Sequence, residues 1–333
     1  MRHPIRRLLL AVKSLDVPDF AAGKKAAQLA RGLKAELCLF HALTEPLYVE
    51  VISFSKDPFI QAEETTLAEV RSRLEKMADA LRAENLKVTT AAAWDYPSHD
   101  AVIRTALRLG ADMVVVDCPR RTHTAPWFLH FTDWELLRKC PVPVLLVKNH
   151  EVYHRAPVLA ALDPDHVYGK PASLDLDILD YASSLASALE DQVHAVHAFN
   201  PIPDMAASQV VIPQAVAEAG QQAYTKAHDA LDPILDRMGI SQRHRHIQEG
   251  FVMDVIEKVV RATGAQMLVM GAISRSGLKG LLIGNTAERM LDRLRCDLLI
   301  VKPSDFRHPV SDFPRGAQIV PSPALAAALG AIS

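Results

Sequence analysis

Cysteine is scarce and scattered in this chain. Cys38, Cys118, Cys140 and Cys296 are the only four in 333 residues, and none has the paired spacing of a zinc site or a disulfide framework. Long apolar runs are missing too, and none approaches the roughly 18 residues needed to cross a bilayer. Arg2, Arg6 and Arg7 ahead of Leu8–Val12 imitate a secretory leader, but that run is too short and Lys13 ends it. Charge of one sign is lacking: a formal net charge of -2 argues against duplex nucleic acid, which needs a basic face. There is no Gly-Lys-Ser/Thr phosphate loop, no Gly-x-Ser-x-Gly elbow and no His-Glu-x-x-His metal motif. What remains, 49% hydrophobic and 23% charged residues, reads as a reduced, cytoplasmic globular protein without a membrane span.

The chain exceeds the usual size of one core, and it repeats itself. Asp100–Lys148 and Asp254–Lys302 run in parallel without a gap (254 − 100 = 154; 302 − 148 = 154). Gly110-Ala-Asp-Met113 falls on Gly264-Ala-Gln-Met267, and Val144–Lys148 falls on Leu298–Lys302. Upstream, Leu37–Ala42 resembles Val193–Ala198, and Leu8–Val12 resembles Val158–Leu162. This predicts a domain over 1–150, a second over 151–305 and a proline-rich tail over 306–333. In each half short apolar runs alternate with helical patterns, which predicts a parallel sheet covered by helices on both faces. The predicted strands are 6–12, 36–42, 86–92, 112–117 and 143–148, then 157–163, 193–199, 243–249, 266–271 and 297–302. The predicted helices are 18–33, 58–84, 98–109 and 132–139, then 173–189, 213–238, 252–263 and 286–294. Gly110 and Gly264 are expected to close their helices. Stretches 43–57 and 200–212 read as loops, and the tail reads as lying over the surface.

One stretch carries the chemistry. Gly271-Ala-Ile-Ser-Arg-Ser-Gly-Leu-Lys-Gly-Leu-Leu-Ile-Gly-Asn-Thr286 follows a buried strand and leads into a helix N-terminus. Free N–H groups and the helix dipole at such a point favour an anion, and Arg275 and Lys279 add positive charge. Asn285 suits the helix cap, with Glu288 reaching back. The same pattern also serves as a plain strand-to-helix connection.

The repeat resembles the universal stress protein family, in its tandem-domain E-type branch. Phe131–Pro141, Gly284-Asn-Thr-Ala-Glu288 and Leu294–Leu299 carry the resemblance, which spans about 1–305. It implies an α/β fold with two tandem five-stranded parallel open sheets of order 3-2-1-4-5 and helices on both faces, like an adenine nucleotide alpha hydrolase. It also implies a pseudo-two-fold relation in which strands 143–148 and 297–302 pair edge to edge. The chain is then an intramolecular pseudo-dimer, with further homodimerisation left open. In such sheets a ligand sits where the strand order reverses, here framed by Asp163 and Gly271. The nucleotide-binding branch carries Gly, two residues, Gly, nine residues, then Gly-Ser or Gly-Thr. Here those places hold Gly271, Ser274, Gly284 and Asn285, with Thr286 next. Ser274 puts a Cβ where a glycine lets backbone approach phosphate, and Asn285 replaces a hydroxyl with an amide.

The expected ligand site is therefore Asp163, Gly271, Ser274, Arg275, Gly284, Asn285 and Thr286. Its ligand is ATP or another small anionic or amphipathic molecule, and no catalytic residue or metal is assigned. The first half holds Asp117, Arg120, His130 and Phe131 at the loop places, and Lys13 at the place of Asp163. Lys13 is expected to pair with Asp117 and, with His130 and Phe131, to fill the cavity. His244 and His246 share a strand face at a spacing a metal uses, with no third ligand in view. His41 and His197 end the second strand of each half, and Cys118 reads as structural. Three functions fit these residues: a non-catalytic stress-response binder of a ligand or protein partner, a weak nucleotide hydrolase or transferase on the same loop, and a protein acting through its surface alone.

Overall fold

A computed structural model describes residues 4–16, 20–49, 57–82, 85–118, 131–149, 151–155, 157–164, 173–199, 213–272 and 293–323. The first half runs β1 (Arg7–Ala11), α1 (Ala21–Leu33), β2 (Glu36–Leu43), β3 (Leu47–Val49), α2 (Asp57–Arg82), β4 (Val88–Trp94), α3 (Ser98–Leu109), β5 (Met113–Asp117), α4 (Phe131–Lys139) and β6 (Val144–Val147). The second runs β7 (Val158–Ala161), α5 (Ser173–Ala188), β8 (Val193–Phe199), α6 (Pro213–Arg237), β9 (Arg245–Glu249), α7 (Val252–Thr263), β10 (Met267–Gly271) and β11 (Asp297–Val301), and β12 (Ile319–Pro321) follows in the tail. The predicted helix 286–294 lies almost wholly outside the described residues.

All strands but two join one sheet of order β4-β2-β1-β5-β6-β11-β10-β7-β8-β9. Each half keeps the 3-2-1-4-5 order, and pairing within each half is parallel. The halves meet at β6 and β11, which pair antiparallel with Leu145 opposite Leu299. The two expected sheets are thus one continuous ten-stranded sheet. Its central strands are buried along their whole length, β10 and β11 without exception, because helices cover both faces. The outermost strand β9, Arg-His-Ile-Gln-Glu, is polar and half-exposed, as an edge must be to avoid pairing with a stranger.

Two apolar layers sandwich this sheet, and each crosses the seam. Leu10, Ala26, Leu145, Ile178, Leu185 and Leu299 lie in one; Ile103, Leu136, Leu146, Ile256, Leu268 and Ile300 lie in the other. Gly110 and Gly264 end α3 and α7 at φ 60° and 68°, the left-handed conformation a glycine adopts without strain.

One expectation needs correction. Stretch 43–57 is not loop throughout, because β3 pairs in parallel with β12 of the tail. The tail lies over the surface, as expected, and is fastened to the first half. Val310 is buried, Arg104 donates to the Ser311 carbonyl (3.1 Å), the Arg315 N–H donates to Asp95 (2.9 Å) and the Leu47 N–H donates to the Gln318 carbonyl (2.7 Å). Prolines forbid a helix there but leave a three-residue strand at an edge open.

The seam is also tied by side chains. Lys148 Nζ donates to the Leu294 carbonyl of the second half (2.6 Å), and Lys302 Nζ donates to the Arg138 carbonyl of the first (2.5 Å). Each lysine directly follows the final strand of its half and reaches a backbone carbonyl of the other half, that of Arg138 lying in the last turn of α4.

Candidate functional site

The carboxyl ends of β7 and β10 are neighbours, because Ala160 pairs with Val269. β8 lies on the far side of β7 and β11 on the far side of β10, so the strand order reverses here. Chain leaving β7 is held by two bonds: the Leu162 N–H donates to the Val196 carbonyl (2.9 Å), and the Asp163 N–H donates to the Asp175 carboxylate (3.2 Å). Asp175 is buried in the first turn of α5, where the helix dipole favours a carboxylate. Nothing in the sequence singles it out, because an acid in a first helical turn is common.

Gly271 ends β10. A Cβ there would lie 2.8 Å from Leu174 Cδ2 and 3.5 Å from Ile178 Cδ1. The glycine thus lets α5 approach the strand end, which brings the α5 N-terminus, Asp163 and the start of the loop to one rim. Ser274, Arg275, Gly284, Asn285 and Thr286 lie outside the described residues. Asp163 and Gly271 are the expected site residues the structure places, and both frame the switch point.

The corresponding place in the first half is built differently. Lys13, which follows β1, sits 2.6 Å from Asp133 of the first turn of α4. Asp133 is buried, with a side chain 2% exposed. The ion pair therefore runs to α4 and not, as expected, to Asp117. A long lysine on a strand end reaches past the neighbouring strand to a helix N-terminus, which already attracts a carboxylate. Arg120 and His130 lie outside the described residues, as does the side chain of Phe131. Beside this pair, burial and then the Asp133 charge push the Cys118 thiol up to about 12, so it is no thiolate at neutral pH. Burial likewise raises Cys140 and Cys296 to about 12.

Both halves share a histidine device. His41 Nδ1 donates to the Val12 carbonyl (2.7 Å), and His197 Nδ1 donates to the Leu162 carbonyl (3.0 Å). Each ring fixes the exit of a first strand.

At the opposite, amino end of the second half lies a cluster that the sequence concealed. His194 of β8 stacks on His244 (centroids 4.2 Å apart, planes 19° apart) and on His246 (5.2 Å, 21°), and His194 Nδ1 lies 3.0 Å from His246 Nε2. Near-parallel rings do not converge three nitrogens on one point, and no group of three His, Cys, Asp or Glu among the described residues is placed to hold a metal. Burial, then the neighbouring imidazoles, bring His194 down from 6.5 to about 4, and burial lowers His244 and His246. The unfolded chain takes up these protons before the native one does, so stability is present above pH 6.5 and declines as pH falls from 6.5 towards 4. Thermal melts are expected to show this fall, and His194→Gln to reduce it by roughly 1–3 °C after solvent screening of half-exposed rings. An unchanged pH profile in that variant would show that the cluster bears no linked proton.

Among the described residues no helix is long and apolar enough to cross a membrane. The family model described as Universal stress protein family matches residues 4–148 and again 157–302. The chain is 26% identical to the Universal stress protein E homolog of Haemophilus influenzae over 270 residues, covering 79% of this chain and 87% of that protein. It is 24% identical to Universal stress protein E of Escherichia coli K12 over 304 residues, 91% of this chain and 96% of the other. A crystal structure of a protein of unknown function from Pseudomonas aeruginosa PAO1 superposes on 90% of this chain and 94% of its own at TM-score 0.66 and 24% identity, which shows the same fold. With both halves of the sheet matched in turn, the chain belongs to the universal stress protein family as a tandem, E-like member.

Proposed function

We propose that this chain is a non-catalytic stress-response protein that binds one small ligand per chain. The ligand is anionic or amphipathic and of nucleotide type. Its site is in the second half, 151–305, between Asp163 and the loop that begins at Gly271; the first half, 1–150, has lost its own. The Lys13–Asp133 pair carries the reading. In the first half the helix N-terminus that would attract an anion is already served by its own carboxylate, and a lysine fills the strand exit. In the second half the corresponding exit carries Asp163, and the residue aligned with Asp133 is Ala287 (133 + 154 = 287). The two residues that pair in the first half are thus replaced by an acid and an alanine, so the sequence of the second half does not repeat the pair that occupies the first. Binding without turnover is the simpler role, because hydrolysis also requires a base and a metal converging on the phosphates.

Native mass spectrometry of the full chain titrated with ATP tests this reading. One ATP per chain, with no phosphate released above buffer in the presence of magnesium, is the expected result. Two ATP per chain would overturn the loss of the first site, and release of phosphate would overturn the non-catalytic reading.

A further inference from the structure

We infer that His197 touches the ligand of the second half. Its Nε2 accepts a hydrogen bond from an N–H or O–H on the uncharged part of that molecule. The inference rests on the proposed function and gives that site a recognition rule.

The chemistry follows from one bond. Nδ1 of His197 lies 3.0 Å from the Leu162 carbonyl, and a carbonyl can only accept. Nδ1 therefore carries the proton, and in the neutral ring Nε2 is an acceptor with nothing to donate. The residue is 5% exposed, and its Nε2 is buried with no hydrogen-bond partner among the described residues. A buried acceptor left unmade is costly, and native proteins seldom keep one without water, an ion or a ligand to meet it.

Its position says which of these it serves. The carbonyl it holds belongs to Leu162, the residue just before Asp163, so the ring stands at the strand exit of the switch point. The first half supplies an internal comparison. His41 makes the same backbone bond, there ahead of Lys13, but its ring is half-exposed and its Nε2 is not among the stranded buried atoms. The backbone bond is thus common to both halves and structural, while the stranded nitrogen belongs to the half that carries Asp163. Nε2 is an acceptor, so a ligand facing it must bring a donor at this end. A molecule with an anion at one end and donor groups at the other is a nucleotide, whose donors are the ribose hydroxyls and the amino group of the base.

The test compares the full-length wild type with His197→Asn and His197→Gln in titrations with ATP, inosine triphosphate and 2′-deoxy-ATP. Asparagine keeps a donor where Nδ1 stood and offers nothing at the place of Nε2; glutamine restores a polar atom there. His197→Asn is expected to melt near the wild type and to bind ATP roughly three- to tenfold more weakly, with partial recovery in His197→Gln. If the base amino group is the donor, inosine triphosphate already binds weakly to the wild type and is insensitive to the substitution. If the 2′-hydroxyl is the donor, the deoxy compound behaves that way instead. Wild-type affinity in His197→Asn would overturn the inference alone, and a wild type that ignores all three nucleotides would overturn the proposed function along with it. Should His197→Asn fail to fold, nitrogen NMR of the wild-type imidazole decides. Its Nε2 resonance is expected to move on adding ATP, and a stationary resonance would reject the contact.

Discussion

Replacing Asp297 with alanine is expected to cost about 3–5 kcal/mol of stability, read as a lower urea midpoint. Asp297 begins β11 and is fully buried. One carboxylate oxygen accepts from Lys25 Nζ (2.7 Å) and the Tyr153 hydroxyl (2.6 Å). The other accepts from the backbone N–H groups of Lys148 (2.8 Å) and Asn149 (3.2 Å). The lysine comes from α1, the tyrosine from the connection between the halves and the carboxylate from the second half, so the cluster closes the seam at three points. Lys25 is as deeply buried as its partner, with a side chain 2% exposed, and also lies 4.5 Å from the Tyr153 ring centroid. Burial, then the Asp297 charge, push the Tyr153 phenol well above its ordinary value, so it remains a donor. Removing the acceptor would strand an ammonium, a phenol and two N–H groups together. The double variant Lys25→Met with Asp297→Leu is expected to lose less than Asp297→Ala alone, because no charge is left unpaired. A loss under about 1 kcal/mol in the single variant would show that the cluster adds little to stability.

The second large effect is expected at Gly32, an exposed residue near the end of α1. Glycine to alanine at an exposed helical position ordinarily stabilises by roughly 0.5–1 kcal/mol. Here the sign should reverse. A Cβ on Gly32 would come within 2.1 Å of the Ala188 carbonyl oxygen and 2.8 Å of its Cα. Those are backbone atoms at the end of α5, so no side chain can swing away and the two helices must part. Gly32→Ala is expected to destabilise by about 1–3 kcal/mol, measured by thermal or urea unfolding. A stabilised variant would mean that α1 and α5 do not cross as closely as described.

The expected frame and the observed one agree where sequence writes structure locally. Buried central strands such as Met267–Gly271 are unbroken apolar runs, and the repeat doubles every signal, so the strands and the helix ends at Gly110 and Gly264 were readable, while the strand order was what the family resemblance implied. What escaped was joined across the chain. Lys25 and Asp297 are 272 residues apart, and neither residue type announces a buried partner. β3 and β12 are three residues each, too short for an alternating pattern, and each exists only by pairing with the other. His194 drew no notice because its neighbours come from elsewhere in the chain, His246 on the adjacent strand β9 and His244 not on that strand, as expected, but on the helical turn just before it. At the switch point, the places of Asp163 and Gly271 followed from the open-sheet rule applied to the strand order that the family resemblance implied. Asp133 and Asp175 were not readable, since an acid in a first helical turn is too common to stand out.

The seam cluster has a consequence for how the two halves relate. Aligning the halves sets His197 on His41 (197 − 41 = 156), and the same offset sets Tyr181 where the first half has Lys25 (25 + 156 = 181). The gap-free alignment sets Pro143 where the second half has Asp297 (297 − 154 = 143). The lock therefore exists on one side of the pseudo-axis and has no mirror image. Two first halves together would face Lys25 with Pro143, a buried cation without its anion. Two second halves would face Asp297 with Tyr181, an anion without its cation. Both self-pairings carry a penalty that the mixed pairing avoids. The two repeats are thus complementary partners at a single joint, each better matched to the other than to a copy of itself.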